Sequence, residues 1–317
     1  MTATTKPAPP ARPEAIKAVP VRHPARWVAT VVVGVLTAMF VNMLLTNNAF
    51  QWQFMFDNMF KPPVLEGVRT SLLLTVLAMV IGVAFGVVLA VMRLSPSPIV
   101  TYAAWGYTWF FRAVPRIVLA ILFGNLGILY AKFFVGLPFD RQLLDLLGLG
   151  GIDGRLFGVD ARTIGAGFMA GLLALALSEA AYMAEIVRAG IVSIDPGQTE
   201  AAQALGMSRL LTLRRIVLPQ AMRVIVPPTG NETIAMLKDT ALVAFVPVTN
   251  ELFFQLQAIG NRTFQVFPML VAACIWYLAM TSVLMVAQYF IERHFSRGVQ
   301  GREKRVRVPS GGMGGAQ

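Results

Sequence analysis

The sequence alternates between long uncharged apolar stretches and shorter polar segments. Three of the apolar stretches contain no charged side chain, and three others are interrupted only by isolated charged or proline residues. A helix needs about 20 apolar residues to cross a hydrocarbon core roughly 30 Å thick. The pattern therefore predicts an all-α integral membrane protein with six transmembrane helices, at residues 27–46, 70–92, 113–134, 164–187, 226–247 and 267–290.

The segments between these stretches predict less regular structure. Residues 98–111 are rich in aromatic side chains, which favour the membrane interface, so we expect a helix along the cytoplasmic surface. The span that follows it should be kinked near Pro115. Residues 135–162 read as an external loop with one short helix at 141–147, and residues 248–266 as a second external loop with an amphipathic pattern.

Composition supports membrane insertion. Of 317 residues, 56% are hydrophobic and 14% are charged, and the mean hydropathy is +0.65. The net charge of +11 could also suit nucleic acid, but the basic residues lie in short runs beside apolar stretches, which indicates membrane topology instead. The single cysteine, Cys274, lies in an apolar stretch, and no spacing typical of a metal site is present.

The two ends of the chain predict its orientation. Residues 1–26 are basic and rich in Pro and Ala, which is typical of a disordered tail. The stretch 27–46 has no cleavage pattern after it and is predicted to stay as a span. Residues 294–317 form a second basic tail. With both tails, the stretch 93–116 and the polar segment 195–219 on one side of the membrane, that side holds 19 of the 27 Lys and Arg residues and the other side holds 7, so we expect these parts in the cytoplasm.

Segment 195–219, DPGQTEAAQALGMSRLLTLRRIVLP, reads as two short helices joined by a turn. Asp195 is a predicted N-cap with Pro196 at the first helical position. Gly206 can take a positive φ and close the first helix. Ser208 can cap a second helix over 209–217, which Pro219 should end or bend.

This segment resembles the EAA loop of ABC importer permeases. In that family the loop is a cytoplasmic helix–turn–helix that sits in a cleft of the ATPase subunit and transmits its closure to the membrane helices. The resemblance implies an ATPase-coupling role for the residues that fill the signature positions, which are Glu200, Ala201, Ala202, Gly206, Ile216, Leu218 and Pro219.

Further segments are similar to the permeases for polar amino acids of the histidine, glutamine and glutamate type. They are FFRAVP (110–115), AYMAEIVRAGI (181–191), LPQAMRVIVPPTGNE (218–232), MLKDTALV (236–243) and IER (291–293). The similarity covers residues 65–293, which would be the permease domain, with 27–46 as an extra N-terminal helix beside the family's five-span core. Two features depart from the family pattern: Arg116 stands at a usually apolar position, and Ser178 and Glu179 precede AYMAEI.

The resemblance implies the partners and location of the chain. It would be a multi-pass protein of the bacterial cytoplasmic membrane that works with ABC ATPase subunits, an external solute-binding protein and a second permease copy or paralogue. Its substrate would be a polar amino acid. No cofactor, metal or nucleic acid is expected.

Ionisable residues inside the predicted spans are the candidates for a substrate pathway, because each would be costly if it faced lipid. Glu185 and Arg188 have the spacing of a structural i,i+3 pair, and Lys238 and Asp239 could compensate each other. Glu179 has no basic neighbour at helical spacing, so it either accepts the ammonium of a substrate or pairs with a basic residue of another helix. Asn231 and Glu232, just after two prolines, could line the cytoplasmic gate. The predicted pathway residues are Glu179, Tyr182, Arg112, Asn231, Lys238 and Asp239.

The sequence gives no indication of an enzyme. It lacks the phosphate-binding pattern G-x-x-x-x-G-K-[ST], so ATP would bind to a separate subunit. The only histidines, His23 and His294, lie in the tails, and no nucleophile–base arrangement can be assembled. The alternative is an ion-coupled secondary transporter that uses Glu179 or Asp239, although such transporters usually contain inverted repeats and none is visible here.

Overall fold

The computed structural model describes residues 24–129, 131–136, 140–148, 155–160, 167–246 and 248–295. The chain divides into two units, Met1–Phe50 and Gln51–Gln317. In the described part, the first unit contains helix α1 (Pro24–Thr46) and a short 3₁₀ helix (Asn48–Phe50). The second unit contains α2 (Trp52–Met59), α3 (Pro62–Arg93), α4 (Pro98–Ala113), α5 (Arg116–Gly124), α6 (Leu126–Leu129), β1 (Lys132–Gly136), α7 (Asp140–Leu146), β2 (Arg155–Asp160), α8 (Gly167–Val192), α9 (Pro196–Ala204), α10 (Arg209–Thr212), a π-helical turn (Leu213–Val217), α11 (Leu218–Asp239), a 3₁₀ helix (Thr240–Phe245), α12 (Leu252–Thr263) and α13 (Val266–Phe295).

Four helices of the described chain, α1, α3, α8 and α13, are long and apolar enough to cross a membrane. A fifth crossing results if α4 and α5, which meet at a bend of 98°, form one broken span. These helices confirm the predicted helical membrane class. They also cover the apolar stretches 27–46, 70–92 and 267–290, and residues 167–187 of the stretch predicted at 164–187, whose first three residues lie outside the described chain.

Two predicted spans need correction. The stretch 113–134 is not one helix, because α5 ends at Gly124 and is followed by α6 and strand β1. The stretch 226–247 is also shifted, since α11 begins at Leu218 and ends at Asp239. With four charged residues, α11 is not among the described helices that are long and apolar enough to cross a membrane, so the predicted count of six is not confirmed.

The predicted loop 135–162 contains more structure than the sequence indicated. Helix α7 matches the short helix expected at 141–147. Strands β1 and β2 pair antiparallel from Lys132 opposite Asp160 to Gly136 opposite Arg155, with an irregularity between Val135 and Gly136. The prediction missed this pair because the first strand continues an apolar stretch that read as helix.

Helices α3 and α8 form the centre of the second unit. Gly82 and Gly86, four residues apart on α3, allow α8 to approach closely, because a Cβ at Gly86 would lie 2.6 Å from the Cβ of Met183. Small residues at this spacing are a common means of packing membrane helices. The surrounding core is apolar and includes Leu74, Ala78 and Leu175. The Gly-x-x-x-Gly spacing could have been recognised in the sequence.

A buried carboxylate connects three helices at the start of α12. Glu251 is fully buried and accepts hydrogen bonds from the backbone N–H groups of Phe253 and Phe254, at 2.7 and 3.1 Å. The hydroxyls of Ser71 on α3 and Tyr277 on α13 donate to its other oxygen, at 2.9 and 2.7 Å. Burial raises the pKa of Glu251 above the ordinary glutamate value, although the four hydrogen bonds act in the opposite direction.

A second network joins α3, α4 and α8 near their predicted cytoplasmic ends. Glu185 accepts two hydrogen bonds from Arg188, at 2.8 and 2.9 Å, which confirms the predicted i,i+3 pair. Arg93, the last residue of α3, lies 3.3 Å from the same carboxylate and donates to the Thr108 hydroxyl of α4 at 3.2 Å. The three helix ends are thereby held together just before the segment 195–219 begins.

Candidate functional site

The first candidate site is the segment 195–219, which begins with helix α9. The Asp195 side chain accepts a hydrogen bond from the Gly197 N–H at 2.8 Å, with Pro196 at the first helical position, as predicted. Gly206 has φ +79°, which confirms the predicted turn. The Met207 N–H donates a hydrogen bond to the Ala202 carbonyl, and the Gly206 N–H donates one to the Gln203 carbonyl. This pair of bonds is the Schellman motif, which satisfies the last carbonyls of a helix and requires a left-handed residue.

The second half of the segment differs from the prediction. Ser208 caps α10 through the Leu211 N–H at 3.4 Å, as expected, but α10 has only four residues and leads through the π-helical turn into α11. Pro219 does not end a helix. It lies in the first turn of α11, directly after the π-helical turn, in which the Leu218 N–H donates to the Leu213 carbonyl five residues back. The backbone stays in the right-handed helical region across both junctions, so α10, the π-helical turn and α11 follow one another without a break.

The predicted coupling residues differ in exposure. Glu200, Ala201, Gly206, Leu218 and Pro219 are exposed, whereas Ala202 is buried and Ile216 is half-buried, so these last two pack against the rest of the chain. Sequence reasoning missed two large apolar side chains beside them. Leu205 and Leu210, on either side of the Gly206 turn, are exposed, and apolar side chains of this size commonly mark a contact surface.

The second candidate site is a cluster of charged side chains around Arg116. The bend after Pro115 places Arg116 at the first position of α5, facing α8 and the end of α11. Its guanidinium lies 3.0 Å from the Glu179 carboxylate and 3.6 Å from that of Glu232, and it donates a hydrogen bond to Asp239. We call Glu179, Glu232 and Asp239 the acidic cluster. Three carboxylates from two helices thus share one guanidinium.

Glu179 reaches this place because α3 carries no side chain opposite it. A Cβ at Gly82 would lie only 2.7 Å from both the Cβ and the Cγ of Glu179. Tyr182 lies one helical turn further along α8, and its ring faces Arg116 at 4.7 Å and Arg112 at 5.5 Å from the guanidinium carbons. Both distances suit a cation–π contact between Tyr182 and each arginine.

The structure brings together four of the six predicted pathway residues, Glu179, Tyr182, Arg112 and Asp239. The predicted Lys238–Asp239 pair is wrong: Asp239 binds Arg116, and Lys238 is exposed. Neighbouring residues on a helix point in different directions and do not face each other. Asn231 is exposed on α11 near the two internal prolines, where the Gln288 side chain donates to the Pro227 carbonyl at 2.9 Å.

Sequence reasoning missed the central role of Arg116. The signal was present, because Arg116 and Glu179 were the two departures from the family pattern and they carry opposite charges on different helices. In the structure these departures are partners. Glu179 was predicted either to accept a substrate ammonium or to pair with a basic residue of another helix. The pair with Arg116 uses only one of its carboxylate oxygens, and the other, Oε1, has no partner among the described residues. Both roles therefore stay open.

The charge of the site suits a cation. The acidic cluster contributes three carboxylates, and Arg112 and Arg116 contribute two guanidinium groups. The Glu179 Oε1 atom is buried without a hydrogen-bond partner in the described chain, which leaves an acceptor open. The described residues contain no group of His, Cys, Asp and Glu that could hold a metal ion.

Known proteins resemble this chain over most of its length. The profile of the family described as "Binding-protein-dependent transport system inner membrane component" matches residues 82–297. The chain is 42% identical over 288 residues to the arginine transport system permease protein ArgU of Corynebacterium glutamicum, which covers 91% of this chain and 85% of ArgU. It is 30% identical over 257 residues to the probable amino-acid ABC transporter permease protein YckA of Bacillus subtilis, covering 80% of this chain and 99% of YckA.

A solved structure of an amino acid ABC transporter is also similar to this chain. The crystal structure of an amino acid ABC transporter with histidines has a chain that superposes with a TM-score of 0.56 at 32% sequence identity. The match covers 74% of this chain and 94% of that one.

Proposed function

The chain belongs to the family of binding-protein-dependent transport system inner membrane components, and we propose that it is the membrane-spanning subunit of an ATP-driven importer for polar amino acids. One observation carries the proposal: α11 begins directly at the segment 195–219 and ends at Asp239 in the acidic cluster. A single helix therefore connects the surface expected to contact an ATPase with the charged side chains expected to contact substrate.

The coupling step rests on segment 195–219. Its exposed apolar side chains, Leu205 and Leu210, and the exposed Glu200 form a surface that a separate ATPase subunit would cover. The continuous backbone from α10 into α11 would carry the movement of that subunit into the membrane. Binding of ATP would favour one of two global conformations of the complex, and segment 195–219 would transmit the accompanying movement to α11.

The substrate step rests on the acidic cluster and the two arginines. An amino acid presents an ammonium group, which needs an acceptor, and a carboxylate, which needs a donor. Glu179 is the acceptor in this proposal, and Arg112 is the donor, because its side chain is exposed beside Tyr182. The excess of one carboxylate over the two arginines favours a substrate with a net positive charge. ArgU, the relative described as an arginine transport permease, agrees with this preference.

The family implies the remaining parts of the system. A solute-binding protein would deliver the amino acid from outside, two ATPase subunits would hydrolyse ATP, and a second permease copy or paralogue would complete the pathway. The protein would lie in the inner membrane with both termini in the cytoplasm. ATP hydrolysis would belong to the partner subunits, because the chain has no phosphate-binding loop.

The test removes the charge of Glu179 and keeps its shape. Glu179→Gln should insert normally and keep basal ATP hydrolysis in the assembled complex, because the coupling segment is unchanged. Uptake of labelled arginine should fall on the order of tenfold to a hundredfold, since a charge-assisted hydrogen bond contributes about 1.5–3 kcal/mol. Glu66→Gln is the matched control, because Glu66 belongs to an exposed pair with Arg69 and should leave uptake unchanged.

Two results would contradict the assignment of Glu179. If Glu179→Gln lowers the thermal stability of the complex while uptake per assembled complex is normal, Glu179 serves only as the structural partner of Arg116. If neither uptake nor stability changes, Glu179 has no specific part in transport.

A further inference from the structure

Arg116 is bound by more carboxylates than one guanidinium can neutralise. It makes hydrogen bonds to Glu179 and Asp239 and an ion pair with Glu232, so three carboxylates face one guanidinium in the immediate cluster. An arginine side chain in such a cluster has the same chemistry as the guanidinium of a free arginine molecule. The position of Arg116 is therefore one that a cationic substrate group would also favour.

Among the three carboxylates, Glu179 is more firmly fixed than the arginine. Glu179 is fully buried and confined by the space at Gly82, and its Oε1 atom has no partner in the described chain. Arg116 is 11% exposed, and the carboxylate side chains of Glu232 and Asp239 are 26% and 30% exposed, so the cluster is open on the α11 side. Arg116 also stands at the first position of α5, where its long side chain can turn away without breaking the helix.

We propose, on the basis of the proposed function, that Arg116 is a specificity-determining residue that competes with the substrate for the acidic cluster. Its guanidinium occupies the cluster when no substrate is present, and the cationic side chain of the substrate displaces it. The apparent affinity is then reduced by the fraction of molecules in which Arg116 still occupies the cluster. Uncharged analogues cannot displace Arg116, and its return to the cluster favours release of the substrate.

The experiment measures equilibrium binding to the purified permease with its ATPase subunits, without a solute-binding protein. The probes are labelled L-arginine and L-citrulline, which has nearly the same shape and no side-chain charge. The wild-type complex should bind arginine in preference to citrulline. Arg116→Gln should lower the Kd for arginine tenfold or more and should leave citrulline weakly bound. Arg69→Gln, in an exposed ion pair, is the matched control and should keep the wild-type Kd.

A second measurement identifies the position that arginine takes. Guanidinium chloride at millimolar concentration should displace arginine from Arg116→Gln much more effectively than from the wild-type complex, because only the variant leaves the Arg116 position vacant. If Arg116→Gln does not assemble, Arg116→Lys replaces it. An ammonium group bonds the carboxylates less completely than the guanidinium fork, so the Kd for arginine should fall about twofold to fivefold.

The outcomes separate this inference from the proposed function. If neither the wild-type nor an assembled Arg116→Gln complex binds arginine or citrulline, the substrate site of the proposed function is itself contradicted. If the wild-type complex binds arginine but an assembled Arg116→Gln complex binds it equally well or more weakly, Arg116 does not compete with substrate. The inference would also be overturned if the Arg116→Lys complex had the wild-type Kd for arginine. Equal binding of citrulline and arginine by the wild-type complex would overturn it as well.

Discussion

Replacing Gly82 by alanine should disturb the acidic cluster although Gly82 carries no charge. The added Cβ would lie 2.7 Å from the Cβ and the Cγ of Glu179 and 3.4 Å from the Ala176 carbonyl oxygen. Carbon atoms in contact are normally separated by about 3.5–4.0 Å. Either α3 and α8 must therefore separate by about 1 Å, or Glu179 must turn away from Arg116.

The size of the effect follows from these distances. Overpacking of this kind typically costs about 1–3 kcal/mol. Alanine is more favourable than glycine within a helix by roughly 0.5–1 kcal/mol, because glycine loses more conformational entropy on folding, and this gain offsets part of the overpacking cost. We expect a net loss of about 1–2 kcal/mol in stability. Displacement of Glu179 should also disturb the proposed acceptor of the substrate ammonium, so arginine uptake should fall for that reason.

The assay compares Gly82→Ala with Gly106→Ala. Gly106 lies within α4, and a Cβ there would meet nothing within 4 Å, so this variant should be as stable as the wild-type protein or slightly more stable. Thermal denaturation of the purified complex and uptake of labelled arginine would be measured for both. Equal stability and equal uptake of the two variants would refute the close packing of Gly82 against Glu179.

Three further predictions concern other parts of the chain. Gly206→Val should strain the left-handed turn by about 1–3 kcal/mol, and it should abolish substrate-stimulated ATP hydrolysis without preventing membrane insertion. Gly206→Asn should retain most activity, because asparagine tolerates the left-handed conformation. Normal substrate-stimulated hydrolysis by the Gly206→Val variant would exclude a coupling role for this turn. Because the folded-state pKa of Glu251 is raised, its contribution to stability is greatest at low pH and is lost as the pH rises through that pKa. Melting temperatures across pH 4.5–8 should therefore fall with pH more steeply in the wild-type protein than in Glu251→Gln, and parallel curves would contradict the assignment. A reporter that is active only outside the cell membrane should give no signal when fused after residue 310, and a strong signal would reverse the predicted orientation.

Local features of the fold could be predicted from the sequence because they depend on neighbouring residues. The Asp195 cap, the positive φ of Gly206 and the Glu185–Arg188 pair each involve residues within four positions of one another or a single backbone angle. The apolar stretches likewise determine where most spans lie. Helix ends were less predictable, as Pro219 shows, because a proline is compatible both with the end of one helix and with the first turn of the next.

The acidic cluster could not be predicted in the same way. It joins Arg116, Glu179 and Asp239, which lie on three helices and are separated by 63 and 123 positions from Arg116. Only the bend after Pro115 and the packing of α3 against α8 bring them together. Charge supplied a partial signal, since an unpaired ion is costly within a membrane and an acidic residue in one span implies a partner in another. It does not specify which partner is chosen.

The central claim, that the chain forms the pathway of an ATP-driven amino-acid importer, is tested most directly by reconstitution. The permease would be placed in liposomes with its ATPase subunits and its solute-binding protein, and accumulation of labelled arginine would be followed. We predict accumulation that requires ATP on the side of the ATPase subunits and is lost when any one component is omitted. Accumulation that follows a sodium or proton gradient without ATP would contradict the account and would favour a secondary transporter.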